Sequence, residues 1–115
     1  MKVSIAQIDI AYGNVSKNYE RTANALQKAM ANHPDVIVLP EMWNTGYALD
    51  QLDELADENG ERTRNFLSAF AKKHDVNIVG GSCAVKRQGK FWNTAYDFDR
   101  KGQLINEYDK VHLFG

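Results

Sequence analysis

Apolar positions change their period along the chain, and those changes predict its elements. Lys2 to Ile10 reads as a strand: Val3, Ile5, Ala6 and Ile8 are apolar, while Gln7 and Asp9 break the run near its end. Tyr12-Gly13-Asn14 predicts a turn, and Asn14 or Ser16 supplies a helix cap whose side-chain oxygen accepts a free backbone N–H. Val15, Tyr19, Ala23, Leu26 and Met30 then recur at helical spacing, with Lys17, Glu20, Arg21, Asn24, Gln27 and Lys28 on the other side. Pro34 disfavours helical geometry at His33, so this helix stops there or just before. Val36 to Leu39 is a short apolar run rich in β-branched residues, which suits a strand buried on both faces. Strand, amphipathic helix and strand in this order predict a βαβ unit with a right-handed crossover.

The second half changes character. Ala48 to Gly60 is polar and acidic with scattered leucines, and reads as a loop with one helical turn. Lying beside the end of the 36–39 strand, it is either a rim over a pocket there or an ordinary surface connection. Glu61 to His74 predicts a second helix, its apolar face built from Phe66, Leu67, Phe70 and Ala71. Val76 to Val85 predicts a strand in which Gly80-Gly81 marks a bulge or a close approach to the backbone. Arg87-Gln-Gly-Lys90 signals a hairpin. Phe91 to Phe98 alternates, with Trp92, Thr94, Tyr96 and Phe98 on one face and Asn93, Ala95 and Asp97 on the other. A turn at Asp99 to Gly102 leads into a strand from Gln103 to Tyr108, so 76–108 reads as an antiparallel meander. The fold class is α/β.

Composition narrows the function classes. The chain has 115 residues, 43% hydrophobic and 25% charged, the size and balance of one globular domain with no internal boundary over 1–115. A net charge of −1 gives no electrostatic reason to expect nucleic acid or an anionic membrane as partner. No apolar run is long enough to span a bilayer. The start, Met1-Lys-Val-Ser-Ile-Ala-Gln-Ile, lacks the pattern of a signal peptide. The single cysteine, Cys83, cannot form an intrachain disulfide; together these fit a cytoplasmic protein.

Candidate chemistry gathers where strands end. Pro40 closes the ladder of the 36–39 strand, having no N–H to donate, and Glu41 follows at once. Met42, Trp43 and Tyr47 place large side chains near this carboxylate, and Gly46 permits a sharp turn; the alternative is an acid facing solvent. Lys110 sits just past the predicted last strand, with His112 on the same side of an extended segment. If their strands are neighbours, Glu41 and Lys110 meet over one sheet edge; otherwise they are unrelated surface charges. Trp43, Tyr47 and His112 are the candidate substrate-binding residues.

Several segments together resemble the nitrilase superfamily of carbon–nitrogen hydrolases, and within it the omega-amidase-like branch. They are Val3-Ser-Ile-Ala-Gln, Asp35-Val-Ile-Val-Leu-Pro-Glu41, Asn77-Ile-Val-Gly-Gly-Ser82, Trp92-Asn-Thr94 and Tyr108-Asp-Lys-Val-His-Leu-Phe114. The resemblance implies an α-β-β-α sandwich, of which this chain is about the N-terminal half, and assembly as a homo-oligomer by stacking of sandwiches. By resemblance Glu41 is the general base and Lys110 the cation that stabilises the tetrahedral intermediate on a cysteine thioester pathway. The implied substrate is a small amide such as a dicarboxylate monoamide, with no cofactor and no metal. Cys83 matches no catalytic motif, so the implied nucleophile lies beyond residue 115. Two other readings compete. One is a metal-dependent phosphoesterase on a similar sandwich, with Glu41, Asn44, Asn93 and His112 as ligands. The other is a truncated, non-catalytic dimerisation or binding module whose sheet faces stay uncovered.

Overall fold

The computed structural model describes residues 1–113, without the side chains of Val111 and His112. Among the described residues the strands form one seven-stranded sheet. Its parallel part is β1 (Val3–Ile5), β2 (Val36–Val38) and β4 (Asn77–Val79). Its antiparallel part is β5 (Cys83–Arg87), β6 (Lys90–Phe98) and β7 (Leu104–His112). One edge of β6 is shared by β4 and β5, and β7 runs along the other. A short β3 (Asp57–Glu58) adds to β5.

The helices explain which sheet face is closed. α1 (Val15–Ala29) starts at Asn14, whose side chain accepts from the Lys17 N–H. It ends before His33, which takes a left-handed conformation ahead of Pro34. α3 (Glu61–His74) buries Thr63, Leu67 and Ala71. Both helices pack on the face carrying Ile37, Ile78, Cys83, Val85, Tyr96 and Phe98. Ile37 and Ile78 are 0% and 1% exposed, whereas Val3, Ile5 and Val79, one step out of phase, are 56%, 73% and 41% exposed. The opposite face is thus apolar yet largely open. It is covered where Met42, Leu49 and Leu52 of the 42–56 segment, which contains α2 (Leu52–Leu55), lie over Ala84 and Phe91. No helix among the described residues is long and apolar enough to cross a membrane.

Several expectations need correction. The first strand spans Val3–Ile5 and not Lys2 to Ile10, because its partner β2 ends at Val38, where the Ala6 N–H makes a last bond to the Val38 carbonyl. The α1 stripe holds at Tyr19 and Leu26, which are buried, and at Val15 and Met30, which pack against the core; the addition is that polar Asn18 and Thr22 are buried beside them. Asn18 is buried because its amide bridges the Ala11 backbone and the Asn44 carbonyl. The 76–85 strand is two strands. Gly80-Gly81-Ser82 separates them, and β4 pairs with β2 in parallel and with β6 antiparallel but not with β5, so the meander of consecutive strands runs from β5 to β7. Finally, β7 continues to His112 because β6 is long enough to pair with it, so Lys110 lies within a strand and not past its end.

Candidate active site

The carboxylate arm is built from the exit of β2. Leu39 donates to the Val79 carbonyl, and the chain then passes Pro40 and turns across the gap between β4 and β5. Ser82 holds this turn. Its N–H donates to the Pro40 carbonyl (3.3 Å), its hydroxyl accepts from the Met42 N–H (3.0 Å), and its carbonyl accepts from the Trp43 N–H (3.2 Å). The Trp43 indole N–H donates to the Gly80 carbonyl (3.0 Å). Asn44 completes the lacing, exchanging hydrogen bonds with the Ala84 N–H and carbonyl (2.9 and 3.0 Å). Gly81 is required here: it has φ +63°, and a Cβ on it would lie 2.0 Å from the Pro40 carbonyl oxygen. The glycine pair therefore marks a close approach of backbone to backbone.

Met42, immediately after Glu41, has φ +51° and is fully buried. A left-handed conformation in a residue with a Cβ is costly and persists only where the surroundings impose it. The surroundings here are the Ser82 bonds on one side and the Met42–Ala84–Phe91 cluster on the other. Glu41 is carried outward on this held turn, its side chain 50% exposed.

The lysine arm comes from β7. Asn93 pairs with Val111 and Thr94 with Asp109, so Lys110 has no opposite residue on β6 and forms a β-bulge. Its Nζ donates to Glu41 Oε1 across 69 residues of sequence, and its side chain is 37% exposed. β2 and β7 are not neighbours, so the route to this meeting differs from the expected one. The 40–44 turn carries Glu41 towards β5 and β6, and the bulge turns Lys110 to meet it.

The other expected residues are placed as follows. Trp43 does not face this site. It is 0% exposed, edge-on to Tyr19 at 5.0 Å and near Phe66 at 5.9 Å. Its large apolar surface is satisfied by the helix-side core. Tyr47 is exposed beyond the turn. The His112 backbone lies opposite Trp92, its side chain lies outside the described residues, and so does Phe114. Asn44 has both ends of its amide committed to Ala84, which removes it from the metal-ligand set. Asn93 is 6% exposed, on the same sheet face as Ala84, and its Oδ1 has no hydrogen-bond partner among the described residues.

Cys83 is 1% exposed on the helix-side face. Burial pushes its thiol far up, and the hydrogen bond with Thr63 only partly offsets this. Sequence reasoning missed Ser82, whose role is visible only once Gly80-Gly81 is read as an opening for the 40–44 turn. It also missed a cluster behind Lys110. There the Arg87 guanidinium donates to Thr94 Oγ1 (3.1 Å) and to Asp109 Oδ1, and Thr94 Oγ1 donates to Asp109 Oδ1 (2.8 Å). Burial pushes the Asp109 carboxyl up, but the bonds from Arg87 and Thr94 and the Arg87 charge outweigh it and hold the carboxyl below its ordinary value.

Comparison with known proteins assigns the family. The model of the carbon–nitrogen hydrolase family matches residues 2–115. A 2-oxoglutaramate amidase of Bacillus subtilis is 48% identical over 112 residues, which are 97% of this chain and 43% of that protein. A "hydrolase in agr operon" of Staphylococcus aureus is 47% identical over 113 residues, 98% of this chain and 43% of that protein. Among solved structures, Saccharomyces cerevisiae Nit3, a member of branch 10 of the nitrilase superfamily, superimposes with a TM-score of 0.85 at 29% identity, over 97% of this chain and 44% of that one. The chain thus spans less than half the length of these relatives. With a family match across nearly all of its residues, the chain belongs to the carbon–nitrogen hydrolase family.

Proposed function

We propose that the full-length protein hydrolyses a small carboxamide through a cysteine thioester, with Glu41 as general base and Lys110 as the stabilising cation. The observation that carries this reading is the meeting of Lys110 Nζ and Glu41 Oε1 from distant parts of the chain. A half-exposed ion pair contributes only about 0–1 kcal/mol to stability, so holding one on a turn containing a left-handed Met42 is better explained by chemistry than by folding.

Each group has a definite task. Glu41 takes the proton of the attacking thiol and passes it to the departing ammonia, then takes a proton from the water that opens the thioester and returns it to the departing cysteine sulfur. Lys110, beside Glu41, donates to the oxygen that becomes negative in each tetrahedral intermediate. The nucleophile is a cysteine of the full-length protein other than Cys83. Cys83 sits on the helix-side face, buried and with its thiol held protonated. The similarity to a 2-oxoglutaramate amidase supports a monoamide of a short dicarboxylic acid as substrate.

The test is ammonia release by the full-length protein from 2-oxoglutaramate and related monoamides. Glu41→Gln and Lys110→Ala should each lower kcat by a factor on the order of 10² to 10⁴. Cys83→Ala should retain activity. Near-wild-type turnover by Glu41→Gln, or loss confined to Cys83→Ala, would overturn the assignment.

A further inference from the structure

We infer that Thr94, Arg87 and Asp109 form a clamp that sets the register of β7 and thereby aims Lys110 at Glu41. They are positioning residues for the proposed site, and the inference rests on that reading of Lys110.

The need for a clamp follows from β7 itself. Strand register is normally fixed by apolar residues that must face a core. β7 offers little of this: Leu104, Ile105 and Tyr108 are 42%, 63% and 62% exposed. A slip by one residue moves every side chain to the other face. For Lys110 that slip would place it opposite Thr94, on the face of Cys83 and away from Glu41. Beyond the bulge Leu113 packs on the Met42–Ala84–Phe91 cluster and its N–H donates to the Phe91 carbonyl (2.8 Å), so that end is anchored; before the bulge, polar contacts must choose the register. Asn106 Nδ2 donates to Asp97 Oδ2 (3.0 Å) at the far end, but a second irregularity at the Asp97/Phe98 step shows that β7 tolerates shifts there.

Thr94 and Asp109 are the pair directly beside the bulge. Thr94 is 0% exposed, and its hydroxyl donates to Asp109 Oδ1. Arg87, two strands away from β7, reaches the same carboxylate oxygen and the same hydroxyl, with its guanidinium carbon 5.7 Å from the centre of the Trp92 ring. With Asp109 pinned opposite Thr94 and Val111 pairing with Asn93, Lys110 becomes the extra residue that the ladder must bulge out. The bonds lie on one face of the sheet, and the residue they aim acts on the other.

The experiment reads geometry first and activity second, in the full-length protein. Carbodiimide coupling joins a carboxylate and an amine in contact, and peptide mass spectrometry measures the Glu41–Lys110 cross-link. Thr94→Val, which keeps shape and loses the hydroxyl, and Asp109→Asn should each lower the cross-link yield by about fivefold or more, while Thr94→Ser retains it. On an active substrate the two disruptive variants should lower kcat on the order of 10- to 100-fold with little change in KM, since Lys110 is misplaced and not lost. Should Asp109→Asn fold poorly, the comparison of Thr94→Val with Thr94→Ser decides alone. A wild-type cross-link in Thr94→Val, or equal loss in Thr94→Ser, overturns the clamp. Turnover that ignores Glu41→Gln while the cross-link still follows Thr94 overturns the hydrolase reading and leaves the clamp standing.

Discussion

The backbone that carries Glu41 is held inside a closed core, whereas the backbone that carries Lys110 runs along an exposed strand. On the first arm, Ser82, Gly80 and Ala84 receive or give hydrogen bonds to every residue from Met42 to Asn44, and Trp43 fills the space beneath with no exposed surface. On the second, most side chains of β7 from Leu104 to Tyr108 face solvent, and Arg87, Thr94 and Asp109 tie it down by charge-assisted bonds. The first arm resists misplacement by packing, which salt and mild pH change hardly touch. The second depends on ionised groups and lies in the part of the fold most able to open locally. Disturbing the two arms should therefore give effects of different size and different sensitivity.

The largest effect is expected at Gly81. A Cβ there would lie 2.0 Å from the Pro40 carbonyl oxygen, with a φ of +63° that disfavours any side chain. Because the colliding atom is backbone, relief requires the 40–44 turn to move. Gly81→Ala should cost roughly 3 kcal/mol or more in urea unfolding, and the Glu41–Lys110 cross-link should fall with it. A cost under about 1 kcal/mol would mean that the turn is not held as described.

Ser82→Ala isolates one bond of the same arm. It leaves the buried Met42 N–H without its acceptor while keeping the backbone bonds of residue 82. A loss of about 1–3 kcal/mol is expected, with little dependence on salt or on pH between neutral and mildly acidic. A loss that grows with ionic strength would place this arm in the same class as the other.

The two arms also differ in how far they could be read from the sequence. α3 was legible to its ends, because Glu61 to His74 carries an amphipathic period bounded by Gly60 and Asp75. The hairpin at Gln88-Gly89 was legible too, both residues having positive φ. Glu41 was legible as a strand-end acid, since Pro40 and the apolar run announce the end of β2. What holds Glu41 was legible only in part: Gly80-Gly81 reads as a bulge or a close approach to the backbone, but nothing local says that the approaching segment is the 40–44 turn or that Ser82 binds it. Trp43 misled for a related reason. An aromatic residue two positions past a carboxylate reads as a pocket wall, yet the turn sends Met42 to one side and Trp43 to the core on the other. The bulge at Lys110 left no local mark at all. Register is a relation between β6 and β7, and it depends on Arg87, Thr94 and Asp109 together.

The smallest effect belongs to the lysine arm and appears only in acid. The Asp109 carboxyl is held below its ordinary value in the folded protein, because the bonds from Arg87 and Thr94 outweigh the burial that pushes it up. The unfolded chain therefore binds this proton more readily than the folded one. The stability that Asp109 contributes is present above roughly pH 4 and is lost as the pH falls through the lowered folded-state value. Asp109→Asn cannot titrate, so its unfolding free energy, compared with wild type between neutral pH and about pH 3, should show a shallower acid decline at this position. Ser82→Ala should decline in parallel with wild type over the same range, since the bond it removes carries no charge. If Asp109→Asn also runs parallel to wild type, β7 is not held by an ionised carboxylate, and the contrast between a packed arm and a charge-pinned arm fails at its weaker end.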